Sequence, residues 1–353
     1  MIDFVYAPKF YYTMNIRSLI LFIGIIFCRI LCAQEGIPVY TDYLSDNLYL
    51  VHPAMAGASN ANKIRLTARK QWFDVDNAPN LQTLNANFRS GDKLGFGALI
   101  YKDANGNFSQ TGIYTTMAYH LLFSRDRTDL NMLSFGLSTA FIQSNVDLRG
   151  LQDPLGSDPD PVVLDREQKE GYFNIDLGFS YHFLEWYAHF TVKNVLPSTR
   201  KIFDNPTPIR ESNNQRRYVF SLGYVFELGF MPDWQIEPSI LYQATDGTME
   251  SSFDTNLKLY HSFETFKVWG GLSYRRSLDG AQFSSDGSTV QNQKLQYITP
   301  FIGGNYKKFM FGYTYSYQSN SVVLSDGGFH QLTLGYDFGK RKERWNCNCP
   351  AVN

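Results

Sequence analysis

The sequence has almost no excess of charge of either sign, few cysteines, and no long apolar run beyond its first thirty or so residues. Its 32 basic and 33 acidic residues nearly cancel, so net charge offers nothing to a polyanion and no nucleic-acid partner is expected. The four cysteines lie near the ends, at Cys28 and Cys32 and at Cys347 and Cys349. Two tail thiols one residue apart form only a strained bridge. No histidine cluster stands beside them to complete a zinc site, so a redox or cross-linking role is the most they carry. Sustained helical periodicity is missing as well. No segment after the start has the apolar length of a transmembrane helix, so the mature chain is expected to lack a helical anchor.

What the sequence does have is aromatic side chains. They make up 16% of the chain, with 28 Phe and 23 Tyr, against 18% charged residues. In "KKFMFGYTYSYQ", Lys307 to Gln318, every second residue from Phe309 to Tyr317 is aromatic. Alternation with a period of two belongs to a β-strand, whose side chains point to opposite faces in turn. "KLGFGALIY" sets Leu94, Phe96, Ala98 and Ile100 against Lys93, Gly95, Gly97 and Tyr101, and "YFNIDLGFSYHF" and "HQLTLGYDF" follow the same rule. About fourteen such segments of roughly ten residues run from residue 63 to 338, the length a tilted membrane-spanning strand needs.

A soluble sandwich would have to match wide apolar faces across two layers. A closed membrane barrel needs only an apolar outside and a polar inside. Arg65, Arg69, Asn85, Asn174, Asp176 and Asp337 all fall on the inward set, as do Gly95, Gly97, Gly136, Gly178, Gly223, Gly312 and Gly335. Glycine at such positions suits close backbone approach. The expected fold is therefore all-β, a transmembrane antiparallel up-and-down barrel of about 14 strands in outer-membrane lipid. Thr314→Arg on the inner face is expected to be far milder than Phe311→Arg or Tyr313→Arg on the outer.

Connection lengths add support. Short ones fall near Gly91, Ser124, Leu184, Gly229, His261 and Asn305, and alternate with long ones at Arg149 to Glu170, Pro197 to Arg216, Ser277 to Gln293 and Ser319 to Gly328. Outer-membrane barrels keep short turns in the periplasm and long loops outside, which puts both termini in the periplasm. Connections at Asp103 and Asp246 are short on the long side.

Four regions follow. Residues 1–33 read as an upstream extension and a signal peptide, with Arg17 before an apolar stretch and Ala33 before the cut. Residues 34–62 form a lead-in or plug, 63–338 the barrel, and 339–353 a periplasmic tail. Tyr40, Tyr43, Leu48, Tyr49 and Leu50 suit open water poorly, and Pro53 and Gly57 are placed to shape the entry into the first strand.

No catalytic, cofactor or metal site is assigned. Ser180 and His182 share a face, with Asp176 their only acidic neighbour, and such triplets arise easily by alternation. Asp153, Asp158, Asp160 and Asp165 crowd one loop without the ligand ladder of a hand-type calcium site. They are taken as a candidate partner-binding loop, since long loops on a rigid scaffold carry recognition.

"IPVYTDYLSDNLYLVHPAMAG" resembles the N-terminal signature of the PorP/SprF family of type IX secretion proteins, carried by His52, Pro53, Ala54 and Gly57. "RKQWFDVDNAP" is similar to that family's Gln-Trp and Ala-Pro elements at Gln71, Trp72, Ala78 and Pro79. The closing "HQLTLGYDF" and "CNCP" fit too, although the family usually has Asn where His52 stands, and an aromatic after Cys-Pro. The resemblance implies a non-enzymatic barrel of the secretion and gliding machinery of Bacteroidota. Its implied partners are a secreted cargo, an adhesin C-terminal domain, or other components of that system. A porin-like solute channel is the alternative, because about fourteen strands leave more lumen than an eight-stranded barrel fills.

Overall fold

A computed structural model describes residues 47–72, 77–124, 129–147, 167–196, 216–229, 231–246, 250–283, 291–319 and 327–339. The signal region and all four cysteines lie outside the described residues.

After two 3₁₀ turns, Leu48–Leu50 and Pro53–Met55, the described chain is strand. The first seven strands are β1 Asn62–Gln71, β2 Asn80–Ser90, β3 Leu94–Asn105, β4 Phe108–Leu122, β5 Asn131–Asp147, β6 Glu167–Phe183 and β7 Trp186–Lys193. Then come β8 Arg217–Tyr224, β9 Phe226–Leu228, β10 Met231–Thr245, β11 Ser251–Ser262 and β12 Phe266–Ser277. A short hairpin follows, β13 Ala281–Phe283 and β14 Gln291–Gln293, before β15 Gln296–Tyr306, β16 Phe309–Gln318 and β17 Phe329–Phe338.

Wall strands pair antiparallel with their sequence neighbours. β8 and β9, parted at Val225, both lie against β10 and act as one strand, while β13 and β14 pair only with each other. β17 pairs with β1 from Asn62↔Phe338 to Gln71↔Phe329, and this seam closes a barrel of 14 strands. Closure satisfies the backbone along the seam, which a sheet edge in lipid could not do.

The outer face is a registered apolar belt. Leu66, Leu84, Ile100, Ile113, Phe141 and Phe173 stand side by side on six successive strands, all exposed. The inward residues beside Leu66, Leu84 and Phe173 are buried and polar (Thr67, Thr83, Asn85 and Asn174), whereas Leu99, Tyr101, Tyr114, Ala140 and Ile142 form an apolar cluster behind Ile100, Ile113 and Phe141.

Two expectations are corrected. β5 and β6 are 17 residues long rather than about ten. Their far ends (Gln143–Asp147 and Glu167–Gly171) are polar, so alternation fades there although pairing continues to Asp147↔Glu167. The connection read as Asp103 to Asn107 narrows to Gly106 and Asn107 because β3 runs on to Asn105, and the residues after Gly229 that were read as turn begin β10 at Met231. Thr314 is itself buried, so an arginine there has to displace interior neighbours.

Candidate functional site: the occupied lumen

Residues Asn47–Asn60 lie inside the barrel, and all but the half-buried Leu50 are buried. Local hydrogen bonds coil the segment: His52 N–H to Leu48 O at 2.8 Å, Met55 N–H to His52 O at 2.9 Å, and Ala58 N–H to Met55 O at 3.1 Å. Pro53 opens the second turn with its fixed φ. Gly57 then takes φ +67°, a conformation open to glycine at little cost. Leu48, Tyr49 and Met55 pack with Ala118, Leu130, Met132 and Tyr187 of the wall and its turns.

The wall makes room through glycine. A Cβ on Gly95 would overlap the carbonyl oxygen of Ala56, and one on Gly136 would overlap the backbone of Pro53 and Ala54. Gly97 receives the ring of Tyr49, and Gly178 lies against Pro53 and Ala54. Four strand positions without side chains therefore form the mould into which the segment fits.

Polar groups fix it there. Tyr49 donates to Thr116 Oγ1 at 2.8 Å, and Gly57 N–H donates to Asn87 Oδ1 at 3.2 Å. His120 Nε2–H donates to Ala56 O at 3.0 Å, while its Nδ1 accepts from Ser134 Oγ at 2.7 Å. His52 bridges two strands, with Nδ1 2.8 Å from Thr191 Oγ1 and Nε2 3.1 Å from Ser221 Oγ. Lys193 Nζ reaches Leu50 O at 3.4 Å. Burial pushes the Tyr49 phenol up to about 12, against a smaller opposing effect of the Thr116 hydrogen bond. Burial, then the charges of Lys193 and His182, push the His52 imidazole down to about 3.

Below His52 lies a group that the sequence joined differently. Ser180 Oγ is 2.6 Å from His189 Nδ1 and 3.3 Å from His182 Nδ1, and it also reaches Met55 Sδ at 3.3 Å. The closer histidine is on the facing strand, because Ser180 and His189 are directly paired across β6 and β7. A serine–histidine contact suggests a nucleophile and base, but neither His182 Nε2 nor His189 Nε2 has a hydrogen-bond partner. Asp176 is engaged elsewhere, accepting from Asn194 N–H at 2.9 Å with Lys193 Nζ at 3.9 Å. No acid among the described residues orients the base, and the segment covers it, so the pair as described lacks the arrangement of a Ser-His-Asp hydrolase. Among the described residues no group of His, Cys, Asp or Glu is arranged to hold a metal ion.

Elsewhere the lumen carries a polar and aromatic network to which the sequence offered no pointer. Buried Glu237 accepts from Tyr187 and Tyr260. Lys258 Nζ sits 4.0 Å from the centroid of Trp269 and 4.7 Å from that of Tyr260. Arg275 makes a two-point contact with buried Asp254, both bonds 2.8 Å. Which strands bring these residues together depends on the closed register.

Of the residues singled out in the sequence, His52, Pro53, Ala54 and Gly57 come together inside the barrel. Gln71, Trp72, Ala78 and Pro79 lie at the opposite, long-loop end. There Gln71 N–H bonds Pro79 O at 2.9 Å, and Trp72 N–H bonds Gly328 O at 3.0 Å. Asp153, Asp158, Asp160 and Asp165 lie outside the described residues.

Comparison with known proteins gives one family match. Residues 33–336 match the model described as type IX secretion system membrane protein PorP/SprF. No curated protein matches the sequence. Among solved structures, a FadL homologue of Pseudomonas aeruginosa is similar at 10% identity and a TM-score of 0.47, over 86% of this chain and 96% of that one. The outer membrane protein Omp33 of Acinetobacter baumannii is similar at 7% identity and a TM-score of 0.42, over 80% and 100%. BamA of Haemophilus ducreyi lacking POTRA domains 1–3 is similar at 10% identity and a TM-score of 0.39, over 79% and 70%. These likenesses concern barrel shape alone.

Proposed function

The chain belongs to the PorP/SprF family of type IX secretion system membrane proteins, and on that premise we propose that it is a non-enzymatic outer-membrane anchor. It holds a secreted cargo, an adhesin C-terminal domain, or another component of the secretion and gliding machinery. The observation that carries this reading is the burial of Asn47–Asn60 inside the barrel. A solute channel needs a continuous polar path, and the seating of Ala54 and Ala56 against wall glycines opposes one. The buried Ser180–His189 pair, with no acid behind it, argues against hydrolysis.

In this reading the short turns face the periplasm, as do the ends of the barrel at Asn62 and Phe338. The long connections face outward and carry recognition, the acidic loop with Asp153, Asp158, Asp160 and Asp165 among them. The test pairs two measurements on protein purified from native membranes in mild detergent. Near-silent planar-bilayer recordings, with co-purification of an exported protein or a secretion component, are expected. Steady porin-like conductance with no bound protein would replace this reading with the channel.

A further inference from the structure

One feature of the outer wall is unrelated to the lumen. At the short-turn end, across β12, β15, β16, β17 and β1, lies an apolar groove of about 720 Å³. Small-ligand sites typically enclose about 300–1,000 Å³. The register explains its origin. Next to the turns, Phe266, Tyr306, Phe309 and Tyr336 stand side by side on four strands. The row above them reads Val268, Gly304, Phe311 and Leu334 in the same register. Gly304 is thus a missing side chain in an otherwise bulky outward row. One row higher, Gly270 opposes Ile302 and leaves a second gap beside the first.

The mouth of the groove has its own chemistry. Lys307 and Lys308 form the exposed turn between β15 and β16, and Lys307 Nζ lies 5.2 Å from the centre of the Tyr306 ring. Asp337 close by is neutralised by Arg65 at 2.9 Å. Two lysines against Glu264, in the turn before β12, leave a positive rim among the described residues. Tyrosines beside lysines at the edge of an apolar belt mark the level of lipid headgroups.

We propose that this groove is a binding site for an anionic phospholipid, with one acyl chain lying over Gly304 and the headgroup phosphate against Lys307 and Lys308. The surface already faces lipid, so its occupant must be apolar along its length and negative at one end. A partner protein's strand would satisfy the first condition without the second.

The test uses the full chain in bilayers of equal parts phosphatidylglycerol and phosphatidylethanolamine, followed by native mass spectrometry from mild detergent. Wild-type protein is expected to retain one phosphatidylglycerol. Gly304→Leu, which fills the gap on the lipid side, should lower that retention at least tenfold while heat-modifiability persists. Should Gly304→Leu fail to assemble, the turn variant Lys307→Glu/Lys308→Glu leaves the wall intact and should abolish the preference for phosphatidylglycerol. Equal retention of both lipids by wild type and turn variant would overturn the site, as would a protein bound over Gly304 in place of lipid.

Discussion

Arg65 on β1 pairs with Asp337 on β17 at 2.9 Å, joining the first and last strands of the wall. Arg65 is buried, whereas the Asp337 side chain is 28% exposed, so part of the attraction is screened by water. Arg65→Met and Asp337→Asn, made singly and together, should show a coupling on the order of 1–3 kcal/mol in urea titrations of the detergent-folded barrel. Additive single effects would mean that the seam is held by its backbone ladder alone.

The apolar belt should be sensitive to depth. Leu84 lies midway along β2, and Phe88 lies two residues from its short-turn end. Leu84→Arg should cost about 2–4 kcal/mol and Phe88→Arg about 0–1 kcal/mol, following the fall-off from the bilayer midplane. Matching costs at the two positions would deny that this face meets lipid.

The mould of the lumen can be spoiled from the wall. Gly136→Val places a branched side chain where the backbone of Pro53 and Ala54 runs. The variant is expected to assemble as a heat-modifiable barrel, to conduct ions in planar bilayers, and to be cut by protease between Leu48 and Asn60. An assembled variant that stays silent and uncut would show that the segment can shift without leaving.

Acid should loosen the same segment. Burial, with Lys193 and His182 adding to it, lowers His52 to about 3, so the docked ring is neutral while a released one titrates near its ordinary value of about 6.5. Above about pH 6.5 both forms are neutral and docking is indifferent to pH. Between there and about pH 3 the released form takes up a proton that the docked form refuses, so docking weakens as pH falls. Protease cutting at Leu48–Asn60 should rise across that window, and His52→Gln should remove one proton from its slope. Identical slopes in wild type and variant would exclude His52 as the titrating group.

The wall was legible because alternation is a property of each strand alone. Leu84 beside Asn85, or Phe173 beside Asn174, declares a side without knowledge of any neighbour. Pairing across strands is a different kind of information. Ser180 was grouped with His182 because they share a face two residues apart, yet the shorter contact is to His189, directly across the ladder. The inward glycines were visible as a set, but that Gly136 and Gly178 both meet Pro53 and Ala54 depends on where a preceding segment folds back. The 17-residue strands were read short because polar ends such as Glu167–Glu170 carry no apolar signal while still pairing.

The seam also constrains the order in which the molecule can assemble. Arg65 and Asp337 are separated by 272 residues, so their meeting closes one of the longest loops among the described residues and is expected late. Asn47–Asn60 precedes β1 yet lies enclosed by strands as distant as β7 and β8, through Thr191 and Ser221. Its seat is incomplete until those strands stand beside one another. The wall must therefore gather around a segment that precedes it in sequence before the seam locks, so residues translated ahead of every strand are among the last to find their places.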